Sequence, residues 1–269
     1  MTQEKELVKE VYGAIATNAV QSCCESACGC DSTTAASAAV GYTAEELAAV
    51  PQGANLGLGC GNPLALASIT PGETVLDLGS GAGFDAFLAA ARVGPAGRVI
   101  GVDMTPQMIE KAKANAVQNG YENVEFRLGD IEQLPVADAS VDLIISNCVL
   151  NLVPDKTKAF REIARVLKPG GRIAISDIVL DKLLPKELLD KPESYTGCIS
   201  GAITRAEYLH GLQAAGLVDV EVVSEQDAAP LLTGSCCGDG IEIPVGTATS
   251  VQVAAYKPAA CCSSSCCSS

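Results

Sequence analysis

The chain has 269 residues, 48% of them hydrophobic, and its 32 acidic and 18 basic side chains leave a net charge of −14. That length can bury the core of one large α/β domain with appendages, and so acidic a surface repels phosphate backbones, which argues against nucleic acid as a partner. No run approaches the roughly 20 apolar residues of a membrane span, and the opening MTQEKELVKEVYGAIATNAV has the spacing of an amphipathic helix rather than a signal peptide, so the expectation is a cytoplasmic protein away from membranes.

Residues 1–70 read as a helical N-terminal cover, including YTAEELAAV. From residue 74 short apolar strands alternate with helical segments: TVLDLG, then a glycine-rich turn into FDAFLAAARVG; RVIGVD (98–103), then TPQMIEKAKANAVQNG; VEFRLGD (124–130); VDLIISN (141–147); a helix in DKTKAFREIARVLKPGG; and RIAISDIV (172–179). In TPQMIEKAKANAVQNG, Thr105 suits the N-cap, Pro106 the first turn and Gly120 the stop. This alternation predicts a Rossmann-like, doubly wound parallel sheet with helices on both faces. A late helix, TRAEYLHGLQAAG, and two closing strands, VDVEVVSE and SVQVAAYKP, complete it. The domain reading is a cover (1–70), a cofactor-binding core (71–180), a substrate loop with completion of the sheet (181–258) and a disordered Cys/Ser tail (259–269).

VLDLGSGAGFD places Gly79, Gly81 and Gly83 between a strand and a helix, where backbone amides and the helix dipole favour a carboxylate. Asp103 ends the second strand, in position to accept hydrogen bonds from two ribose hydroxyls, and Asp130 ends the third, in position to accept from an adenine amino group. The longer G-x-G-x-x-G fingerprint of nicotinamide dinucleotides is missing. The combination resembles the class I S-adenosylmethionine-dependent methyltransferases over roughly residues 70–180. That resemblance implies a seven-stranded sheet with the last strand inserted antiparallel. It also implies that Asp77, Gly79, Gly81 and Gly83 line the methionine end, Asp103 holds the ribose, Met104 packs on the adenine, Asp130 and Ile131 border its edge, and Asn147 sits beside the sulfonium.

The chain holds 13 cysteines, a fraction of about 5% that lies below that of a disulfide scaffold. Isolated cysteines serve as small buried hydrophobes, but the clusters SCCESACGC, GSCCGDG and AACCSSSCCSS have no apolar setting. Cys148 follows the fourth strand, at the crevice where doubly wound sheets bind ligands; Cys60 (LGLGCGNP) and Cys198 (SYTGCISG) come from separate, glycine-flanked segments. Soft thiolates select thiophilic centres. NLGLGCGNP, LDLGSGAGFD, ISNCVLNLVPDK and GCISGA together are similar to the arsenite S-adenosylmethionine methyltransferases, over nearly all of residues 8–225. The resemblance implies trivalent arsenic held by Cys60, Cys148 and Cys198, with Cys23 or Cys24 as a further ligand. It also implies arsenite arriving as a thiol adduct and turnover supported by a reductant of glutathione or thioredoxin type. Base-amino methylation is disfavoured, because Asn147-Cys148-Val149-Leu150 lacks the Pro-Pro-aromatic motif of such enzymes. Two alternatives stay open: a quinone-type C- or O-methyltransferase, which shares FREIARVLKPGGRIAISD but has no use for three thiols, and a thiol-rich metalloid-sequestering protein, which need not keep a cofactor turn.

Overall fold

The structure is a computed structural model and describes residues 2–17, 32–184, 195–196, 198–229 and 244–259. The strands are β1 (Thr74–Leu78), β2 (Arg98–Asp103), β3 (Val124–Leu128), β4 (Val141–Asn147), β5 (Leu167–Leu180), β6 (Val218–Asp227) and β7 (Ala248–Tyr256). They form one sheet in the order β3-β2-β1-β4-β5-β7-β6. The first five are parallel, and β7 runs antiparallel to both β5 and β6, which bears out the doubly wound sheet and its inserted last strand.

β1 and β4 are almost continuous apolar runs because both of their faces are covered. Alternate residues feed opposite layers. Leu76, Leu78 and Ile144 pack with Phe160 and Ile163 of α6 (Lys156–Val166). Val75, Leu143 and Ile145 pack with Phe87 of α4 (Phe84–Val93) and Ile109 of α5 (Pro106–Gln118). Phe160 meets Tyr208 of α7 (Arg205–Ala214) edge-on, with ring centroids 5.5 Å apart. Each such buried side chain contributes about 1.5–3 kcal/mol, and Phe160→Ala would remove one of the joints between α6 and α7.

The cover contains α1 (Gln3–Ala16), α2 (Ser32–Ala39) and α3 (Ala44–Ala49). Thr43 and Glu46 close a capping box at the start of α3. Arg92 of α4 donates to Glu46 at 2.6 Å and to the Leu64 carbonyl at 2.6 Å, fastening the cover to the sheet layer.

One local expectation needs correction, and a second is met in position only. The fifth strand begins at Leu167, not Arg172: Leu167 pairs with Val141 across a register shift, so Lys-Pro-Gly-Gly lies inside an irregular strand instead of ending a helix. Thr105 stands at the N-cap of α5 but its side chain makes no capping bond; its backbone N–H is instead held by Asp103 at 2.8 Å. Cys23, Cys24, Cys28, Cys30, the Cys236-Cys237 pair and the Cys/Ser tail beyond residue 259 lie outside the described residues. Among the described residues no helix is long and apolar enough to cross a membrane.

Candidate active site

Strand order reverses between β1 and β4, and doubly wound sheets bind ligands in the crevice at the carboxyl ends of such strands. A cavity of about 280 Å³ lies there, walled by the β1–α4 turn, the ends of β2 and β4, α1 and the segment around Cys60. Eight of the nine residues expected to meet the cofactor, all but Gly83, are on its wall together with Cys60, Cys148 and Cys198.

The glycine-rich turn has the backbone that its sequence requires. Gly83 lies at φ 98°, and a Cβ there would come within 2.6 Å of Phe87 and 2.8 Å of Phe126. Gly81 lies at φ 51°, and a Cβ would meet nothing nearer than the Met108 sulfur at 4.0 Å. Gly83 is therefore needed for packing, whereas the space beside Gly81 is open. Asp77 Oδ2 and Ser80 Oγ are buried and have no hydrogen-bond partner among the described residues. Burial, followed by the neighbouring Asp85 and Asp103 carboxylates, pushes the Asp77 carboxyl well above its usual range. An orphaned buried acid beside open backbone fits a cationic amino group, so the donor chemistry suits the aminoacyl end of S-adenosylmethionine.

Asp103 accepts from the Gly81 N–H at 3.0 Å and the Thr105 N–H at 2.8 Å, and burial raises its carboxyl despite those bonds. Asp130 engages Lys5 of α1 at 2.6 Å, and Lys5 also reaches Glu132 at 2.9 Å. Sequence reasoning did not single out Lys5. It is 125 positions from Asp130, and its only local signal is a cation on the otherwise buried stripe of α1.

The thiols come from three segments. Cys60 is buried beneath the cover, Cys148 is half-buried past the end of β4, and Cys198 is buried in the segment after β5. The Cys198 thiol donates to the Cys148 carbonyl oxygen at 2.9 Å. Cys148 and Cys198 hold left-handed φ values of 60° and 64°, rare for residues with a Cβ and costing on the order of 1–3 kcal/mol each. Burial raises the Cys60 thiol. Contact with Cys148, then burial, raises Cys198 strongly. For Cys148 the largest single influence, contact with Cys198, lowers the value, but contact with Cys60 and burial outweigh it. The three sulfurs are thus protonated near neutral pH.

Asp177 is a second residue that sequence reasoning missed. Its carboxylate and the Cys60 and Cys148 sulfurs all lie within 4.8 Å of one another. It accepts from the Ile178 N–H at 3.0 Å and from the Tyr208 hydroxyl at 3.2 Å, and burial lifts its carboxyl to about 7. The acid interrupting the apolar strand AISDIV was the available signal. His210 is exposed on α7, away from the cavity wall.

Asn147 joins the two parts of the site. Its Oδ1 accepts from the Cys60 N–H at 3.0 Å, and its Nδ2 donates to the Gly61 carbonyl at 2.8 Å and the Tyr42 hydroxyl at 2.9 Å. Tyr42 donates in turn to Asp85 at 2.6 Å. Tyr42 carries no local motif that would have marked it, and Asp85, although it closes the VLDLGSGAGFD segment, has no signal of its own for this role.

Residues 69–216 match the family model described as a methyltransferase domain. An arsenite methyltransferase of Halobacterium salinarum is 50% identical over 241 residues, covering 86% of this chain and 61% of that protein. One of Aquipseudomonas alcaligenes is 41% identical over 175 residues, covering 62% of this chain and 50% of that protein. The chain thus spans between half and two thirds of the length of these relatives. The crystal structure of an arsenic(III) S-adenosylmethionine methyltransferase from Chlamydomonas reinhardtii superposes with a TM-score of 0.61 at 32% identity, covering 84% of this chain and 73% of that one. The chain belongs to the methyltransferase-domain family, in its class I S-adenosylmethionine-dependent division, and groups there with the arsenite methyltransferases.

Proposed function

We propose that the chain transfers methyl groups from S-adenosylmethionine to trivalent arsenic held by Cys60, Cys148 and Cys198. The observation that carries this reading is three free thiols, brought from three separate segments to the wall of the cavity that also holds the glycine-rich turn. A quinone-type methyltransferase has no use for that convergence, and a sequestering protein has no use for the orphaned Asp77 oxygen beside the turn.

S-adenosylmethionine supplies an electrophilic methyl group on a sulfonium. Asp77 and the Gly79–Gly83 turn hold its aminoacyl end, Asp103 its ribose, and Met104, Ile131 and Asp130 its adenine edge. At the other end, arsenous acid exchanges three hydroxyls for three sulfurs. Each thiol proton leaves with a hydroxyl as water, so the exchange is neutral and needs no external base. The same balance holds when arsenite arrives as a thiol adduct, with thiol as the leaving group. The arsenic lone pair is the nucleophile, so no X–H bond has to be deprotonated, and holding the atom in place supplies most of the acceleration. This agrees with a cavity wall free of histidine among the described residues. A reductant of glutathione or thioredoxin type returns the metalloid and the thiols to the reduced state, and the cytoplasm is a compartment that keeps them so. Cys23 or Cys24 supplies a further thiol to the substrate.

The test is incubation of the purified chain with arsenite, S-adenosylmethionine and a thiol, with arsenic-specific chromatography of the products. Methylated arsenicals are expected, and their distribution gives the number of transfers. Intact S-adenosylhomocysteine binding with no methylated arsenic would overturn the substrate reading and leave the cofactor reading standing.

A further inference from the structure

α1 touches both ends of the cavity with one stripe. Lys5, Val8 and Tyr12 stand at positions i, i+3 and i+7, on one face of the helix, and all three reach the cavity wall. At the cofactor end the Lys5 ammonium is bound between Asp130 and Glu132, at 2.6 and 2.9 Å. Two turns later, at the thiol end, the Tyr12 hydroxyl donates to the Thr196 carbonyl at 3.1 Å and lies within hydrogen-bonding reach of the Cys198 sulfur. Val8 is buried in the same cluster as Cys60 and Cys198, and Tyr12 packs against it. The rest of α1 leans on α5, where Lys111 donates to the Ala16 carbonyl at 3.1 Å.

These contacts have a consequence for Cys198. Its left-handed backbone is unfavourable by itself, so neighbouring groups must hold the segment in place. Tyr12 supplies such a hold from 186 positions away in the chain.

We propose that α1 is a roof that closes the cofactor end and the thiol end as one rigid unit, with Tyr12 the positioning residue for Cys198 and Lys5 the latch at the far end. The proposal rests on the reading of the cavity as a shared cofactor and thiol site. A ligand that orders the Asp130 end favours the closed roof, and the closed roof favours the Cys198 arrangement. The two ends are therefore coupled, and the coupling is reciprocal.

The test follows the alkylation rate of Cys198 by iodoacetamide in the full chain, read by mass spectrometry. The tryptic segment over residues 187–205 carries Cys198 and no other cysteine, so the site is read without interference. Five proteins are compared with and without saturating S-adenosylhomocysteine: wild type, Tyr12→Phe, Tyr12→Ala, Lys5→Met, and Glu132→Gln as a second way to weaken the latch. In the wild type the ligand is expected to slow alkylation. Tyr12→Ala should raise the ligand-free rate roughly fivefold or more and abolish the protection, and Tyr12→Phe, which keeps the ring, should give a smaller increase and keep part of the protection. The decisive variants are Lys5→Met and Glu132→Gln. Both act at the opposite end of the helix, so faster Cys198 alkylation is expected only if α1 moves as a unit. Wild-type alkylation rates in both latch variants, with thermal unfolding unchanged, would overturn the proposal. So would an unaltered rate in Tyr12→Ala. Failure of the wild type to bind S-adenosylhomocysteine would sink the cofactor reading instead, and the ligand-free rates of the latch variants would still decide the roof.

Discussion

The Asn147 side chain accepts a hydrogen bond from the backbone N–H of Cys60 at 3.0 Å, tying the last residue of β4 to a residue of the cover 87 positions earlier. Its amide also donates to Gly61 and Tyr42, so a single side chain sets the height of Cys60 above the sheet. Asn147→Ala should lower stability by about 1–3 kcal/mol, because a nearly buried hydrogen-bonding set loses its partner. Asn147→Asp should be worse than Asn147→Leu: it cannot donate to Gly61, and it adds a charge near Asp85, whose Oδ2 lies 3.3 Å from the amide. Thermal unfolding of the three variants checks the order, and equal losses would show that the amide is only filling space.

The cysteines admit a cleaner separation of function from folding. Serine keeps the size and backbone preference of cysteine but forms no stable bond to trivalent arsenic. Cys148→Ser and Cys198→Ser should each abolish arsenite methylation and leave S-adenosylhomocysteine affinity within about twofold, since neither thiol belongs to the glycine turn or the Asp103 end. Isothermal titration gives the second quantity. Full methylation by either variant would remove the three-thiol reading.

Asp85 gives the fold a dependence on pH. Burial lifts its carboxyl from an ordinary value near 3.8 to about 6, against the opposing bonds from Tyr42 and Asn147. A folded-state value above the unfolded one means that the folded state binds the proton more tightly. Its contribution to stability is present in full below the unfolded value and is lost as pH rises through about 6. Denaturant unfolding should therefore show stability falling from this group between pH 4 and 6, and Asp85→Asn should reduce the slope in that window, the remainder coming from groups such as Asp177, whose carboxyl burial lifts to about 7. Glu125, lowered to about 2 chiefly by its bonds with Arg127, acts with the opposite sign and below that window. A slope unchanged in Asp85→Asn would assign it to other groups.

The strands that the sequence revealed most clearly are those buried on both faces. RVIGVD and VDLIISN match β2 and β4 residue for residue, because an unbroken apolar run between turn signals leaves little choice of register. β5 looks short in the sequence because Pro169 and Gly170 are helix stops in isolation, while the pairing of Leu167 with Val141 is a fact of the sheet. The site divides in the same way. The glycine turn, Asp103 and Cys148 announce themselves through residue type and position after a strand, and Cys60 and Cys198 through their glycine-flanked segments. Lys5, Tyr12, Tyr42, Asp85 and Asp177 do not, since each matters through a partner that the fold delivers from elsewhere in the chain.

Two glycines in one turn should fail in different ways. Gly83→Ala places a Cβ 2.6 Å from Phe87 and 2.8 Å from Phe126 at a φ of 98°, so overpacking and backbone strain add, and a loss of roughly 2–4 kcal/mol is expected. Gly81→Ala keeps a φ of 51°, within the left-handed region that a side chain tolerates at about 1 kcal/mol, and its Cβ has no protein atom within contact distance short of Met108 at 4.0 Å. The methyl group would instead stand on the wall of the cavity, where the aminoacyl end of the cofactor is proposed to lie against the backbone. Gly81→Ala should therefore melt within a few degrees of the wild type and bind S-adenosylhomocysteine at least tenfold more weakly, whereas Gly83→Ala should lose stability first. Calorimetry and titration on the same preparations separate the two effects. If Gly81→Ala binds like the wild type, the cofactor does not rest against this turn, and the assignment of Asp77 to its amino group goes with it.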